Sequence, residues 1–142
     1  MKWFRLSTLV LLCLLSACTK GTIKDIPSQT WRGFEVKVLS VESKGNDYAK
    51  KNEALRCEAK EGSEVMVAEV AFKALSQTAL VSLPLLRLQL EDMDGKRYES
   101  FGMPAIGQGS MNLPAAWEFC FEAPKGAVWK TLYIEELAFD LR

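Results

Sequence analysis

The apolar residues of this chain recur at every second position over several segments, which is the period of a β-strand. Residues 34–42 (FEVKVLSVE) place Phe34, Val36 and Val38 on one face, with charged residues between them. Residues 65–75 (VMVAEVAFKAL) repeat the pattern, with apolar side chains on one face and two charged side chains on the other. Both segments therefore predict strands that bury one face in a core and expose the other.

The middle of the chain predicts a hairpin and then an aromatic strand. Residues 85–92 (LLRLQLED) alternate leucines with polar residues, DMDG (92–95) has the composition of a turn, and KRYES (96–100) resumes an extended pattern. Residues 117–122 (WEFCFE) direct three aromatic side chains to the core, which leaves Cys120 on the opposite face. Both stretches extend the predicted series of strands.

The C-terminal part of the chain predicts one or two further strands. Residues 128–134 (VWKTLYI) and 137–141 (LAFDL) read either as two strands or as one long strand. In the second case Glu135 and Glu136 form a bulge.

Two segments break the alternation. Residues 44–63 are polar, and Asp47 is placed to cap a short helix through about Leu55. Residues 102–116 carry three glycines and two prolines, which predicts a loop. Six or seven short strands with hardly any helix predict an all-β fold, an antiparallel β-sandwich of the immunoglobulin-like type.

The N-terminus has the layout of a secretory signal. Lys2 and Arg5 flank the start of an apolar run, residues 6–15, that ends at small residues. As a helix this run reaches only about 15 Å, half of a hydrocarbon core of about 30 Å. It is too short to span a membrane, so we expect a signal peptide over residues 1–17.

The end of the apolar run resembles the lipobox of bacterial lipoproteins, because Leu15, Ser16 and Ala17 directly precede Cys18. This resemblance implies that Cys18 carries a diacylglycerol, that the chain is cut before it, and that the new amino group is acylated. Two or more acyl chains hold a protein stably on a bilayer. Thr19 follows, where an aspartate would imply retention in the inner membrane of a Gram-negative cell. The resemblance therefore implies the outer membrane, facing the periplasm, in such an organism.

Length and composition indicate one folded domain. We expect residues 18–30 to form the lipidated cysteine and a flexible tether, and residues 31–142 to form the domain. Removing residues 1–17 takes away two of the 18 basic residues and none of the 18 acidic ones, so the mature chain is slightly acidic. That balance argues against a nucleic-acid partner. No second apolar stretch is long enough to span a membrane.

Two cysteines remain in the predicted domain, Cys57 and Cys120. An isolated pair outside the cytoplasm usually forms a disulfide, which would pin the 44–63 segment across the outside of the strand that carries Cys120. Two separate buried thiols, or a pair that binds metal, are the alternatives. The chain has no histidine, so a metal site would lack its commonest nitrogen ligand.

The search for catalytic and metal-binding residues favours none. The absence of histidine excludes Ser-His-Asp and Cys-His catalysis, and we expect neither an enzyme nor a cofactor. Asp92 and Asp94 lack the spacing of a calcium loop and suit a turn instead. Met93, Met103 and Met111 form an alternative set of ligands for copper, although their spacing is loose.

The C-terminal strand offers one candidate binding surface. If its aliphatic residues fill the core, Trp129 and Tyr133 point outward at strand spacing. These two aromatic rings either pack beneath a loop or form an exposed patch that recognises a partner.

Three stretches, FEVKVLSVE, LRLQLEDMDGKRY, and LPAAWEFCFEAPKG followed by VWKTLYI, together resemble small bacterial lipoproteins with an immunoglobulin-like sandwich of uncharacterised function. The resemblance implies a binding or accessory role in the cell envelope, with no catalytic residues to carry over. We therefore expect a lipid-anchored, non-enzymatic module that binds an envelope protein or a small ligand. A copper-binding protein and a structural envelope component are the alternatives.

Overall fold

The computed structural model describes residues 25–49, 56–75, 86–106 and 115–142, with the backbone alone for 102–106 and 115. The predicted signal peptide and the lipidation site at Cys18 lie outside the described residues. The described residues form ten strands: β1 Gln29–Trp31, β2 Phe34–Ser43, β3 Asp47–Ala49, β4 Arg56–Glu58, β5 Ser63–Ala74, β6 Leu88–Asp92, β7 Arg97–Ile106, β8 Ala115–Pro124, β9 Trp129–Ile134 and β10 Leu137–Asp140.

Eight of these strands follow one another in the order β1-β2-β5-β8-β7-β6-β9-β10, and every neighbouring pair is antiparallel. Strand β7 is shared between two sheets. Its first residues, Arg97–Glu99, pair with β6, whereas Ser100, Phe101, Ala105 and Ile106 pair with β8. The chain therefore forms two antiparallel sheets that are joined along one strand, and the predicted all-β class is confirmed.

One hydrophobic core lies between the two sheets. Each sheet contributes the apolar face that the period-two pattern predicts, because successive side chains alternate across the strand. The sheet of β1, β2, β5, β8 and the last residues of β7 buries Phe34, Val36, Val38, Met66, Ala68, Val70, Phe72, Trp117, Phe119 and Phe121. The sheet of β6, β9, β10 and the first residues of β7 buries Leu88, Leu90, Leu132, Ile134 and Phe139. Within the described residues, the assignment of inward positions in β2, β5, β6 and β8 is therefore confirmed.

A second, smaller cluster lies on the outer face of β5 and β8, beneath the two-stranded sheet of β3 and β4. Cys57 of β4 is disulfide-bonded to Cys120 of β8, and both residues have no exposed surface. Val65 and Val67 are the other buried members of the cluster. The predicted disulfide, and its position on the outside of the aromatic strand, are confirmed.

The predicted helix after Asp47 is wrong in the part that the structure describes. Asp47–Ala49 forms β3, paired with Arg56–Glu58, and residues 50–55 lie outside the described part. A capping residue favours a helix only locally, whereas the disulfide and the Tyr48 hydroxyl, 3.0 Å from Glu118 Oε2, hold this segment flat against β8. Tertiary contacts therefore override the local preference.

The predicted loop over 102–116 is wrong at both ends, because β7 continues to Ile106 and β8 begins at Ala115. Residues 107–114 lie outside the described residues. The register of β7 shifts between Phe101 and Ala105, so that residues 102–104 stand opposite a single residue of β8. A bulge of this kind tolerates glycine and also proline, which has no N–H for the ladder.

The free edges of the two sheets, β1 and β10, are joined by side chains. Gln29 Nε2 donates to the Ala138 carbonyl at 2.7 Å, and Trp31 Nε1 donates to Glu136 Oε2 at 2.6 Å. Upstream of β1, Ile26 packs into the core with 5% exposure. The folded part therefore extends before Trp31, the predicted first residue of the domain.

The C-terminal segments form two strands rather than one bulged strand. Leu137 of β10 pairs with Ile134 of β9, so Glu135 and Glu136 make a two-residue hairpin turn. Glu135 takes the positive φ (51°) that tight hairpins require.

We expect the disulfide to contribute much of the stability of this domain. Replacing Cys57 and Cys120 by alanine should lower the free energy of unfolding by about 4 kcal/mol, because the bond closes a long loop in the unfolded chain. Urea denaturation of the two proteins measures the difference. As a control, Tyr48→Phe removes the hydroxyl that bonds Glu118 and should cost only about 1 kcal/mol. Equal midpoints for the oxidised protein and the alanine variant would contradict the prediction.

Candidate functional site

A cleft of about 480 Å³ opens at one end of the two sheets, between the β6–β7 turn and the β8–β9 turn. Its size lies within the range of small-ligand sites. The first turn contributes Met93, Asp94 and Lys96, and the second contributes Lys125 and Val128. Both turns connect strands whose inward residues lie in the core, so the fold determines where the cleft opens.

The β6–β7 turn is held by the carboxylate of Asp92, which is 9% exposed. Asp92 Oδ1 accepts from the backbone N–H groups of Asp94 at 3.0 Å and Lys96 at 2.9 Å, and Oδ2 accepts from the Tyr98 hydroxyl at 3.3 Å. This bonding pattern is that of an aspartate that stabilises its own turn. Asp92 therefore organises the cleft.

A backbone hydrogen bond ties the two turns together. The N–H of Met93 donates to the carbonyl of Val128 at 3.0 Å, so the two walls of the cleft keep a fixed separation at that point. In the second turn, Gly126 donates its N–H to Glu64 Oε1 at 3.3 Å. The turns are thus ordered by the protein's own bonds, and a ligand would meet a preformed surface.

The rim of the cleft presents large apolar side chains to solvent. Met93 is 53% exposed and Val128 is 66% exposed, two of the four large hydrophobic residues that the described part of the chain leaves exposed. Lys96 and Lys125 flank them, and neither lysine forms an ion pair with any described residue. Lys96 Nζ also stands 5.2 Å from the centroid of the Tyr98 ring. Exposed apolar side chains flanked by charged residues are typical of a surface that binds another molecule.

Trp129 packs against the core and against Tyr98, which lines the cleft. Its ring meets the ring of Tyr98 edge-on, with centroids 5.5 Å apart and an interplanar angle of 89°. The predicted outward position fails because β9 carries one extra residue. Thr131 pairs with Glu91 while Trp129 pairs with Asp92, which leaves Lys130 as a bulge and reverses the alternation.

Tyr133 lies on the opposite, outer face of the same sheet, so the structure does not bring it together with Trp129. The Arg97 guanidinium stands 4.1 Å from the centroid of its ring. The Tyr133 hydroxyl lies 3.4 Å from Glu91 Oε2. Tyr133 is therefore enclosed in a charged cluster and shares no surface with the cleft.

Glu91 is the centre of that cluster, and its side chain is only 9% exposed. Arg97 Nε donates to its carboxylate at 2.9 Å, and Lys130 Nζ lies 3.8 Å away. The hydrogen bond from Arg97 lowers the pKa of Glu91 below its ordinary value of 4.5 and outweighs the opposing effect of burial, with help from Lys130 and Tyr133. The same bond raises the pKa of Arg97.

The described residues hold no group of three or more acidic or cysteine side chains that could bind a metal ion. Of the three methionines in the copper alternative, Met93 lies at the cleft, while Met111 and the side chain of Met103 are outside the described part. In the described ranges, no helix has the length and apolar character to cross a membrane.

No protein-family model matches the sequence, and no curated protein matches it. The fold is similar to that of a solved structure, an uncharacterised β-sandwich protein from Clostridium difficile 630. The two chains superpose with a TM-score of 0.54 at 12% sequence identity, over 79% of this chain and 85% of that one. The protein is therefore an all-β protein with a β-sandwich fold.

The charged cluster predicts a specific dependence of stability on pH. Because the pKa of Glu91 is lowered in the folded state, its ion pairs stabilise the protein above pH 4.5 and are lost as the pH falls through the folded-state pKa. Glu91→Gln should therefore be less stable than the parent near about pH 7, and the difference should shrink by about pH 3. Urea midpoints at both pH values measure it. Glu99→Gln, an exposed position on the same face, serves as the control, and an unchanged difference would contradict the prediction.

Proposed function

We propose that this protein is a lipid-anchored, non-enzymatic binding module of the bacterial cell envelope, which holds an envelope protein or a small ligand in the cleft between its β6–β7 and β8–β9 turns. The observation that carries the proposal is the preformed rim of that cleft. Met93 and Val128 are exposed on ordered turns, where leaving apolar surface in water costs free energy. A partner that covers these side chains removes that free-energy cost.

The chemistry of the cleft supports binding rather than catalysis. Its buried carboxylate, Asp92, is already engaged by two backbone N–H groups and one hydroxyl. The chain contains no histidine to act as a proton shuttle near neutral pH. What remains at the rim is two lysines, Asp94 and the two apolar side chains, which suit recognition.

Two features support the proposed location. The order Leu15, Ser16, Ala17, Cys18 is the basis of the proposed lipid anchor, and Thr19 favours the outer membrane of a Gram-negative cell. The disulfide is of a kind that persists in oxidising compartments such as the periplasm. The immunoglobulin-like type of the sandwich is part of the same proposal, and two antiparallel sheets around one core support it.

The anchor is tested by palmitate labelling in cells, followed by membrane fractionation. The Cys18→Ala variant should lose the label and leave the membrane fraction, because no other cysteine occupies the lipobox position. Cys13→Ala is the matched control, since Cys13 lies within the predicted signal peptide and its loss should leave labelling unchanged. Label or membrane association that survives Cys18→Ala would refute the anchor.

The binding surface is tested by placing a photoreactive amino acid at Val128 and irradiating living cells. We expect a defined crosslinked product, because this side chain stands 66% exposed on the rim of the cleft. The matched control carries the same photoreactive group at Ala138, which is exposed on β10 away from the cleft. Crosslinking of equal yield at both positions, or none at Val128, would contradict a partner at the cleft.

A further inference from the structure

The distance between the proposed lipid anchor and the folded domain is short. Ile26 is buried in the core, and Asp25 forms an ion pair with Lys37 at 3.4 Å, so the fold begins no later than residue 25. Only residues 19–24, called the linker here, separate Cys18 from that point. A chain of this length spans at most about 25 Å. The domain must therefore stay close to any bilayer that holds Cys18.

The ion pair also locates the face at which the linker meets the domain. Lys37 stands between Val36 and Val38, which point into the core, so its side chain lies on the outer face of β2. Asp25 reaches that outer face to pair with it. Strand β5 alone measures about 40 Å, more than the linker can span. The outer face of β2 around Lys37, together with the adjoining part of β5 at Ala71, is thus the part of the domain that the linker holds nearest to the anchor.

This face carries an uncovered apolar depression among charged side chains. The depression has a volume of about 140 Å³, and its residues, called the linker-side face here, are Glu35, Lys37, Leu39, Ala71, Lys73 and Ala116. Leu39 occupies the register shift of β2 and is 41% exposed. Leu75, 52% exposed, falls in the same outward row as Lys73 by strand alternation. Large apolar side chains at such positions suit an interface with lipid headgroups.

The charge of this region complements an anionic surface. The linker adds two lysines and no acidic residue to the two lysines of the face. Four basic residues, Lys20, Lys24, Lys37 and Lys73, are thus set against three acidic ones, Asp25, Glu35 and Glu69, the last of which lies on the outer face of β5 opposite Ser40. Clusters of lysine beside a membrane anchor are attracted to anionic phospholipids.

We propose that the linker-side face docks onto the phospholipid headgroups of the bilayer that holds Cys18, with Leu39 at the interface and Lys73 against the phosphates. The proposal rests on the lipid anchor described above. Weak contacts suffice, because the linker makes docking an intramolecular step at high effective concentration. The cleft is formed at the opposite end of β5, where Ser63 pairs with Pro124, and it therefore remains open to a partner.

The test uses the full lipidated protein in vesicles of phosphatidylethanolamine and phosphatidylglycerol that contain a lipid with a quencher at headgroup depth. A small fluorophore is attached to Leu39→Cys or, as the matched control, to Val128→Cys on the rim of the cleft. The native disulfide has no exposed surface and should not react. We expect quenching to be several-fold stronger at position 39 than at position 128. Equal quenching, or stronger quenching at 128, would overturn the proposal.

A charge-reversal variant distinguishes a face that contacts the headgroups from one that the linker merely keeps near the bilayer. Lys73→Glu should reduce quenching at position 39 at constant lipid and protein, whereas Lys96→Glu, at the cleft, should leave it unchanged. Raising the salt concentration should have the same effect as Lys73→Glu, since exposed charges are screened. Quenching that is indifferent to both Lys73→Glu and salt would overturn the proposal. Quenching that instead rises with protein density at constant lipid would assign the face to a second copy and would also overturn it.

Flotation of the same samples distinguishes the two proposals. A chain that fails to float with vesicles lacks the anchor, and both the proposed function and the docking are then refuted. A chain that floats while the label at position 39 remains unquenched keeps its anchor, and only the docking is refuted.

Discussion

The structure depends on strand β7 being shared by two sheets. Its first residues pair with β6 and its last residues pair with β8, so this one strand fixes how the sheets meet. Because β6 also pairs with β9, the β6–β7 turn is brought beside the β8–β9 turn, and the cleft lies between them. Tyr98, in the first part of β7, contributes to the same arrangement by bonding Asp92 and contacting Trp129.

The alternation of apolar and polar residues along the sequence predicts most of the fold. In β2, β5, β6 and β8 the sequence alone identifies the inward residues, because one face of each strand is buried and a shift by one residue would expose it. The position of Cys120 on the outer face follows from the same alternation, and so does the side from which the disulfide approaches. Patterns fail where a bulge inserts one residue, as at Lys130, since every side chain before it then changes face.

The remaining features arise from contacts between residues far apart in the chain. Asp47 has the local signature of a helix cap, yet the disulfide holds its segment as a strand. Glu91 reads as an ordinary outward glutamate, and only the register that sets Arg97 across from it reveals a nearly buried ion pair. The apolar rim of the cleft could not be predicted from the sequence either, because Met93 and Val128 belong to two turns that are far apart in the chain.

The attachment of the N-terminal segment gives the domain a defined mechanical entry point. Tension applied to the chain upstream of Asp25 must first draw the Ile26 side chain out of the core, at a cost of about 2 to 3 kcal/mol for a residue of this size. Only then does the force reach strand β1. Because the Gln29 side chain of β1 is hydrogen-bonded to the Ala138 carbonyl of β10, the force then acts on both sheets at once. Force applied at the N-terminal segment is thus distributed over both sheets instead of detaching one edge strand.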